Sequence, residues 1–537
     1  MSVVTINKMR KVRLSELIKS LGKKQHIIKL ALLGNPDPII SSVVYDSRNA
    51  SKNCIFFAIE GLHTDGHRYI GEAIKHGAVA IVHSKELTRY SSYVNYIQVP
   101  NPREALSKIA NQFYGKPSEK ITVIGVTGTD GKSSTVWFIY QMLSHIGIKA
   151  GFMSTVNFLT DREVTKNNLR QSTPEAPEIQ ELLSMMVENG KEYAIVEATS
   201  HGLSNKTLRL ADVKFNTAVL TNVTHEHLEF HGTLEQYRSD KANLFRRATE
   251  TGIINLDDPN SKYFENAFLN EHKPYDKRIT KHHERRCFFY ATKPENFKNS
   301  SVYAYNIQSN LKETRFSIVY TNGKKKLERE IKISLPGAFN VNNILASLLA
   351  AIKTCKLTTQ EIEDILSFLP QIKGVPGRME HITMGQPFDV IVDYAHTPES
   401  FSEVLPFIKK YTKGKLITLF GSAGERDVEK RPQQGKIAAT YSDVIVITDE
   451  DPRAEDSMKI INEIAAGALS IKKNENLILE PNREAAIKKA FSIAEPGDTV
   501  VLLGKGHENS IIYDGYSIYW DEKEFAQKTL KEMGYGK

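Results

Sequence analysis

The residues with the clearest chemical content lie in GVTGTDGKSST, Gly125 to Thr135, after the apolar run Ile121 to Ile124 and before a stretch of helical character. Glycines at this density let backbone N–H groups turn toward an anion, Lys132 adds a point charge, and the Ser133 hydroxyl suits a Mg²⁺ shell. Such a loop holds a nucleoside triphosphate. An ordinary glycine turn would leave Lys132 and Ser133 at the head of the helix unexplained. The plain GxxxxGK[ST] spacing calls for glycine at Val126, whereas Gly125 stands one place early, which points away from motors and GTP switches.

Other reactive side chains follow. Glu197 ends the apolar run Tyr193 to Val196, where a carboxylate reaches the metal of a triphosphate site, since Mg²⁺ takes oxygen ligands. TNVTHEHLEFHG gathers His225, His227 and His231, but neither HExxH nor HxxEH is present, which argues against a hydrolytic zinc site. Lys241 lies in YRSDKANLF on a helical stretch, where a lone lysine is ordinarily solvated. Asn340 and Asn343 in LPGAFNVNN are polar contacts for a base or, equally, cap and turn residues. Near the start, Ser47 and Arg48 follow a strand and His63 sits in the glycine-flanked turn HTDG, positions open to phosphate, sugar or plain loop chemistry.

The elements that must position these residues alternate between strand and helix. Strands are expected at Ile55 to Ile59 and Ala78 to Val82 around a helix over Tyr69 to His76, then a helix within Asn101 to Pro117 and the break GKPSEK. Beyond the triphosphate loop, a helix over Val136 to Ile146, a strand at Ala150 to Val156 and a helix over Leu234 to Arg247 imply a mostly parallel sheet with ligands at its carboxyl edge. Residues 301 to 335 read as antiparallel strands around the turn TNGKKK. QIKGVPGRME is a linker, and VIVDYAHTPES, LITLFGSAGERDVEKRP, VIVITDEDPRAED and VVLLGKGHEN repeat one pattern, an apolar strand followed by a polar loop. The expectation is an α/β protein of three domains, 1–117, 118–372 and 373–537.

Composition narrows the class. The 537 residues exceed a single core, and 40% hydrophobic with 25% charged residues is ordinary for globular protein. The net charge of +8 is spread along the chain, with only short clusters such as Lys324 to Lys326, so nucleic-acid binding is not expected. Three cysteines without CxxC spacing fit a reducing cytoplasm, and no run of 18 apolar residues predicts a membrane span. A soluble monomer is the expectation.

The ordered motifs GVTGTDGKSS, EATSHGL, TNVTHEHLEFHG with Lys241, LPGAFNVNN, GRME, DYAHTP, GERDVEKRP, TDEDPR and GKGHE resemble the Mur ligases, in particular those that add the third amino acid of the peptidoglycan stem. The resemblance covers nearly the whole chain. It implies an N-terminal UDP-binding domain, a central ATPase domain and a C-terminal Rossmann-like domain that takes the amino acid. ATP and Mg²⁺ are implied, with the nucleotide held by Gly128, Thr129, Gly131, Lys132, Ser133, Ser134, Asn340, Asn343, Arg378 and Asp393, the last at the ribose. Lys132, Glu197, His227 and Lys241 become the catalytic set. Ser133, Glu197, His227 and Lys241, the last as a carbamate, face the metal. Ser47, Arg48, His63, Thr173, Ser200 and Arg209 would hold a UDP-muramoyl peptide, and Arg426, Asp451, Arg453, Gly504 and Glu508 the incoming diamino acid. The implied reaction activates a substrate carboxylate as an acyl phosphate that an amine then attacks.

Three departures stand out. Asp130 and Ser133 replace the Asn and Thr common in the family loop, the segment GLSNKTLRL before Arg209 is longer than usual, and TDEDPR replaces the TDDNPR typical of meso-diaminopimelate enzymes. Arg453 suits a distal carboxylate, which favours meso-diaminopimelate over lysine or ornithine. The alternatives are a folylpolyglutamate synthase-like ligase, for which the DSR, HTDG, DPR and GKGHE motifs would be superfluous, and a catalytically silent, nucleotide-regulated binding protein.

Overall fold

The computed structural model describes residues 10–22, 27–61, 64–169, 171–224, 228–271, 285–323 and 325–536. His63 and His227 lie outside them. The chain forms two compact units: Met1–Tyr303 with Tyr320–Leu327 and Asn342–Ile365, and Ala304–Val319 with Glu328–Val341 and Leu366–Lys537.

The first unit contains two sheets of the expected α/β kind. Strands Ser42–Val44, Cys54–Phe57, Ala80–His83 and Asn95–Gln98 run parallel, and Lys29–Leu32 joins antiparallel at one edge. The fully buried runs CIFF and AIVH explain the parallel pairing, since such strands are covered on both faces. The helix Pro102–Phe113 packs on this sheet and starts where Asn101 caps the amides of Arg103 and Glu104, with proline in the first turn.

The second sheet of this unit places Ala150–Met153, Tyr193–Glu197, Thr122–Thr127, Thr217–Leu220, Thr251–Asn255 and Arg286–Ala291 side by side, all parallel. Its register decides where the site falls. Glu197 pairs with Val126 and Leu220 with Thr127, so three strands end together at one carboxyl edge. The helix Lys132–His145 leaves the loop there, and Leu234–Arg247 has the bounds read from the sequence.

The second unit has the six-stranded order Glu380–Ile382, Asp389–Asp393, Thr499–Leu503, Leu416–Phe420, Val444–Ile447, Leu477–Leu479, parallel except for the first strand. Four of these strands end at the loops YAHTP, GKGHE, GSAGERD and TDEDPR. Thr397 and Ser400 form a capping box that starts the helix Pro398–Tyr411. With its own cores on either side of the sheet, this is the third α/β domain.

Among the described residues no helix is long and apolar enough to cross a membrane. All three cysteines are free thiols, Cys54 buried and Cys287 and Cys355 half-buried. Burial raises the Cys54 thiol above its ordinary range and pushes those of Cys287 and Cys355 up to about 12.

Candidate functional site

The triphosphate loop is held by the strand beside it. Asn222 accepts from the Thr129 amide through its carbonyl (2.9 Å) and from the Asp130 amide through its side chain (2.9 Å), and Thr221 Oγ1 donates to the Asp130 carbonyl (2.6 Å). Asp130 itself is exposed, so its added negative charge is screened by water. Gly131 has φ +78°, and a Cβ there would lie 2.2 Å from Asn343 Oδ1, so Asn343 from the helix Ala338–Cys355 lies against the loop. Gly131→Ala forces an L-residue into the left-handed region, at about 1–2 kcal/mol, and displaces Asn343. The expected outcome is nucleoside triphosphate binding weakened about tenfold, the equivalent of about 1.4 kcal/mol, as read by titration calorimetry.

Around this loop the predicted residues converge. Ser133 Oγ donates to Glu197 Oε2 at 2.8 Å, and Thr155 donates to the same carboxylate through its amide (2.8 Å) and hydroxyl (2.8 Å). Glu197 is 3% exposed. A buried carboxylate aimed at the loop hydroxyl is the oxygen donor pair that Mg²⁺ prefers. Among the described residues no group of three His, Cys, Asp or Glu side chains forms a metal cluster. Lys132 Nζ folds back onto the Thr129 carbonyl at 2.5 Å.

Lys241 is not solvated, as a lone helical lysine would be. It is 1% exposed, its Nζ donates to the Gly128 carbonyl (2.6 Å), and it lies 4.3 Å from the centroid of Tyr237, its neighbour one turn back. Tyr237 in turn shares a hydrogen bond with Thr129 Oγ1 at 3.0 Å. The helix therefore grips the loop at two successive residues, Gly128 and Thr129.

Residues expected to hold the peptide gather beside Glu197. Thr173 Oγ1 meets Thr199 Oγ1 (2.8 Å) and the Glu197 carbonyl (3.3 Å), and Arg209 donates to the Thr173 carbonyl (2.9 Å) while pairing with Glu175 (2.8 Å). The longer segment before Arg209 thus still delivers its guanidinium to Thr173, through a turn in which Leu208 has φ +55°. Farther out, a cavity of about 570 Å³ is lined by Tyr45, Ser47, Arg48, Tyr69, Arg103 and Glu175 among others. Ser47 donates to Glu72 (2.8 Å), and Arg48 forks onto Asp46, holding that carboxyl below the usual carboxylate range.

In the second unit, Asn340 Nδ2 donates to the Pro336 carbonyl (2.7 Å), a local turn bond. Asp393 accepts the amides of Met379 (2.7 Å) and Ala395 (2.8 Å), and Arg378 lies 4.7 Å from the Tyr394 ring centroid. Asp451 and Glu508 both accept from the buried Lys505 Nζ, at 3.0 and 2.5 Å. Arg453 has φ +56°, its amide donates to the Ile512 carbonyl (2.9 Å), and its buried Nε finds no hydrogen-bond partner among the described residues. Gly504 has φ +97° and faces Glu450, whose carboxyl burial pushes up to about 7. Arg426 is exposed on the neighbouring loop. Beneath these loops Arg483 donates to the carbonyls of Asp449 (3.0 Å) and Leu503 (2.8 Å) and to Glu522 (2.7 Å), joining two strand ends.

Sequence reading had missed Thr155, Tyr237, Glu450 and Lys505. Tyr237 carried a signal, its position one turn before Lys241; Lys505 lay inside the GKGHE motif without being singled out; Thr155 carried none.

Three family models match in order: the Mur ligase family catalytic domain at residues 39–114, the Mur ligase middle domain at 126–351 and the Mur ligase glutamate ligase domain at 377–506. A protein of Treponema denticola named UDP-N-acetylmuramyl-tripeptide synthetase is 45% identical, over 96% of this chain and 98% of its own length. A UDP-N-acetylmuramoyl-L-alanyl-D-glutamate--2,6-diaminopimelate ligase of Clostridium tetani is 37% identical over 97% and 100%. A solved structure of a ligase of that name superposes with TM-score 0.60 at 26% identity, covering 92% of this chain and 95% of that one. With relatives of this identity aligned along nearly its whole length, the chain belongs to the Mur ligase family.

Proposed function

We propose that the chain is an ATP-dependent amide ligase that adds a diamino acid to the D-glutamyl residue of UDP-N-acetylmuramoyl-L-alanyl-D-glutamate in peptidoglycan synthesis. The observation that carries the reading is the buried 2.8 Å pair between Ser133 of the triphosphate loop and Glu197, with Lys132 and Lys241 both donating to carbonyls of that loop. The names of relatives that align along nearly the whole chain support it. They also disfavour the folate-ligase reading.

In this scheme Lys132 turns from Thr129 to the β- and γ-phosphates, and the loop amides and Asn343 orient the nucleotide. Ser133 and Glu197 would hold Mg²⁺, with His227 and a carbamylated Lys241 as further candidates, and the metal would supply positive charge to offset that of the phosphates. Gly128, Thr129, Gly131 and Ser134 complete the cradle, and Asn340, Arg378 and Asp393 serve the nucleoside. Thr173, Ser200 and Arg209 position the glutamyl carboxylate, with Ser47, Arg48 and His63 at the uridine diphosphate. That carboxylate attacks the γ-phosphate, giving an acyl phosphate and ADP. The amine held by Arg426, Asp451, Arg453, Gly504 and Glu508 then displaces phosphate to leave the amide. We take the domain limits to be 1–117, 118–372 and 373–537; Lys116 and Gly377, both with positive φ, lie near the two joins. The protein works as a cytoplasmic monomer.

Incubating the protein with ATP, Mg²⁺ and the muramoyl dipeptide should give amide product with meso-diaminopimelate at a higher kcat/KM than with lysine or ornithine. Stoichiometric ADP release should depend on both co-substrates. ADP formation with folate and glutamate but not with the muramoyl substrate would sink the reading.

A further inference from the structure

Three buried side chains from separate elements meet beside the proposed peptide site. His231, closing the short helix Leu228–His231, places Nδ1 2.8 Å from Asp240 Oδ2 and Nε2 3.1 Å from Ser200 Oγ. Their exposures are 4%, 1% and 2%. The ring is walled by Phe230 at 4.7 Å and Tyr237 at 5.2 Å between centroids, so it has little room to turn. Asp240 is itself anchored by Gln236 Nε2, which donates to Oδ1 at 3.0 Å.

The chemistry of the contacts bears on the proton positions. A ring nitrogen facing a carboxylate is the N–H, so Nδ1 carries a hydrogen, and in the tautomer with that single ring hydrogen Nε2 presents a lone pair. Ser200 must then donate its hydroxyl hydrogen to Nε2. Its remaining lone pairs are left to accept a hydrogen bond, which suits a peptide N–H and not a carboxylate. Ser200 begins the helix Ser200–Leu203 three residues after Glu197, and its neighbour Thr199 bonds Thr173.

We infer that His231, oriented by Asp240, is a positioning residue that locks the Ser200 hydroxyl as a hydrogen-bond acceptor for a backbone N–H of the acceptor peptide. This rests on the muramoyl-dipeptide reading of the site. The pair acts on peptide binding and leaves nucleotide binding alone, because its hydrogen bonds run to Ser200 and the helix Leu234–Arg247 and not to the triphosphate loop.

The test uses the full chain. Ser200→Ala and His231→Gln should each raise KM for the muramoyl dipeptide about tenfold, the scale of one hydrogen bond, with KM for ATP within twofold. The double variant should be no worse than either single one. Additive effects, or an equal rise in KM for ATP, would overturn the inference. Independently, ¹⁵N-histidine spectra of the unaltered protein should show His231 with protonated Nδ1 and a lone-pair Nε2, assigned by its shift in Ser200→Ala; a protonated Nε2 would overturn it even if His231→Gln fails to fold. Should the unaltered protein make no amide, the functional reading fails separately, and the tautomer still decides this inference.

Discussion

Lys132→Ala is expected to lower both ADP release and amide formation by at least about 10³-fold, the scale of losing a preorganised charge at a site where negative charge gathers. The side chain is only half-buried, and among the described residues its hydrogen bond is to the Thr129 carbonyl, so the fold should tolerate its loss. The unfolding midpoint of the variant should stay within about 2 °C of the parent, consistent with the small effects of substitutions outside a core. Lys132→Arg keeps the charge but not its compact shape and should recover only part of the rate. A rate within tenfold of the parent for the alanine variant would show that Lys132 does not face the transferred phosphate.

The second large effect concerns stability. Glu522→Ala should destabilise the second unit by about 3–5 kcal/mol, the cost of leaving a buried charge without its partner. Arg483 and Glu522 are both fully buried in their side chains, and Trp520 Nε1 also donates to Glu522. After the substitution Arg483 keeps, among the described residues, the Asp449 and Leu503 carbonyls, neither of which neutralises it. Calorimetry should show the lower transition shifting down while nucleotide binding at the first unit persists. Because those carbonyls lie within TDEDPR and at the end of the strand that feeds GKGHE, KM for the amino acid should rise as well. Replacing both residues by apolar ones of similar size should recover most of the stability. A calorimetric transition unmoved by Glu522→Ala would refute the burial argument.

Much of the architecture was readable because buried parallel strands leave apolar runs and helices leave caps and breakers. CIFF, AIVH and LITLF each became a strand, and Leu234–Arg247 followed its pattern to the residue. The gathering of Lys132, Ser133 and Glu197 was also foreseeable, since strands of one parallel sheet end at one edge. What the chain does not display is which polar groups neutralise one another. Lys241 looked solvated because a helix pattern does not report what covers it; a strand end and Tyr237 bury it. Asp451 and Glu508 were read as contacts for the incoming amino acid, yet Lys505 sits between them, and its bond to Asp451 spans 54 residues of chain, which no local pattern encodes. His231 was one of three neighbouring histidines until packing set it between Ser200 and Asp240.

The three cysteines have a practical side. A thiol pushed up to about 12 carries almost no thiolate at neutral pH, and only the thiolate attacks a maleimide. Cys287 and Cys355 are therefore nearly inert to alkylation in the folded protein, and Cys54 is shut away from solvent. A single cysteine introduced on the surface would be the fast-reacting thiol of the molecule, so fluorophores can be attached one site at a time without first stripping out the native sulfur.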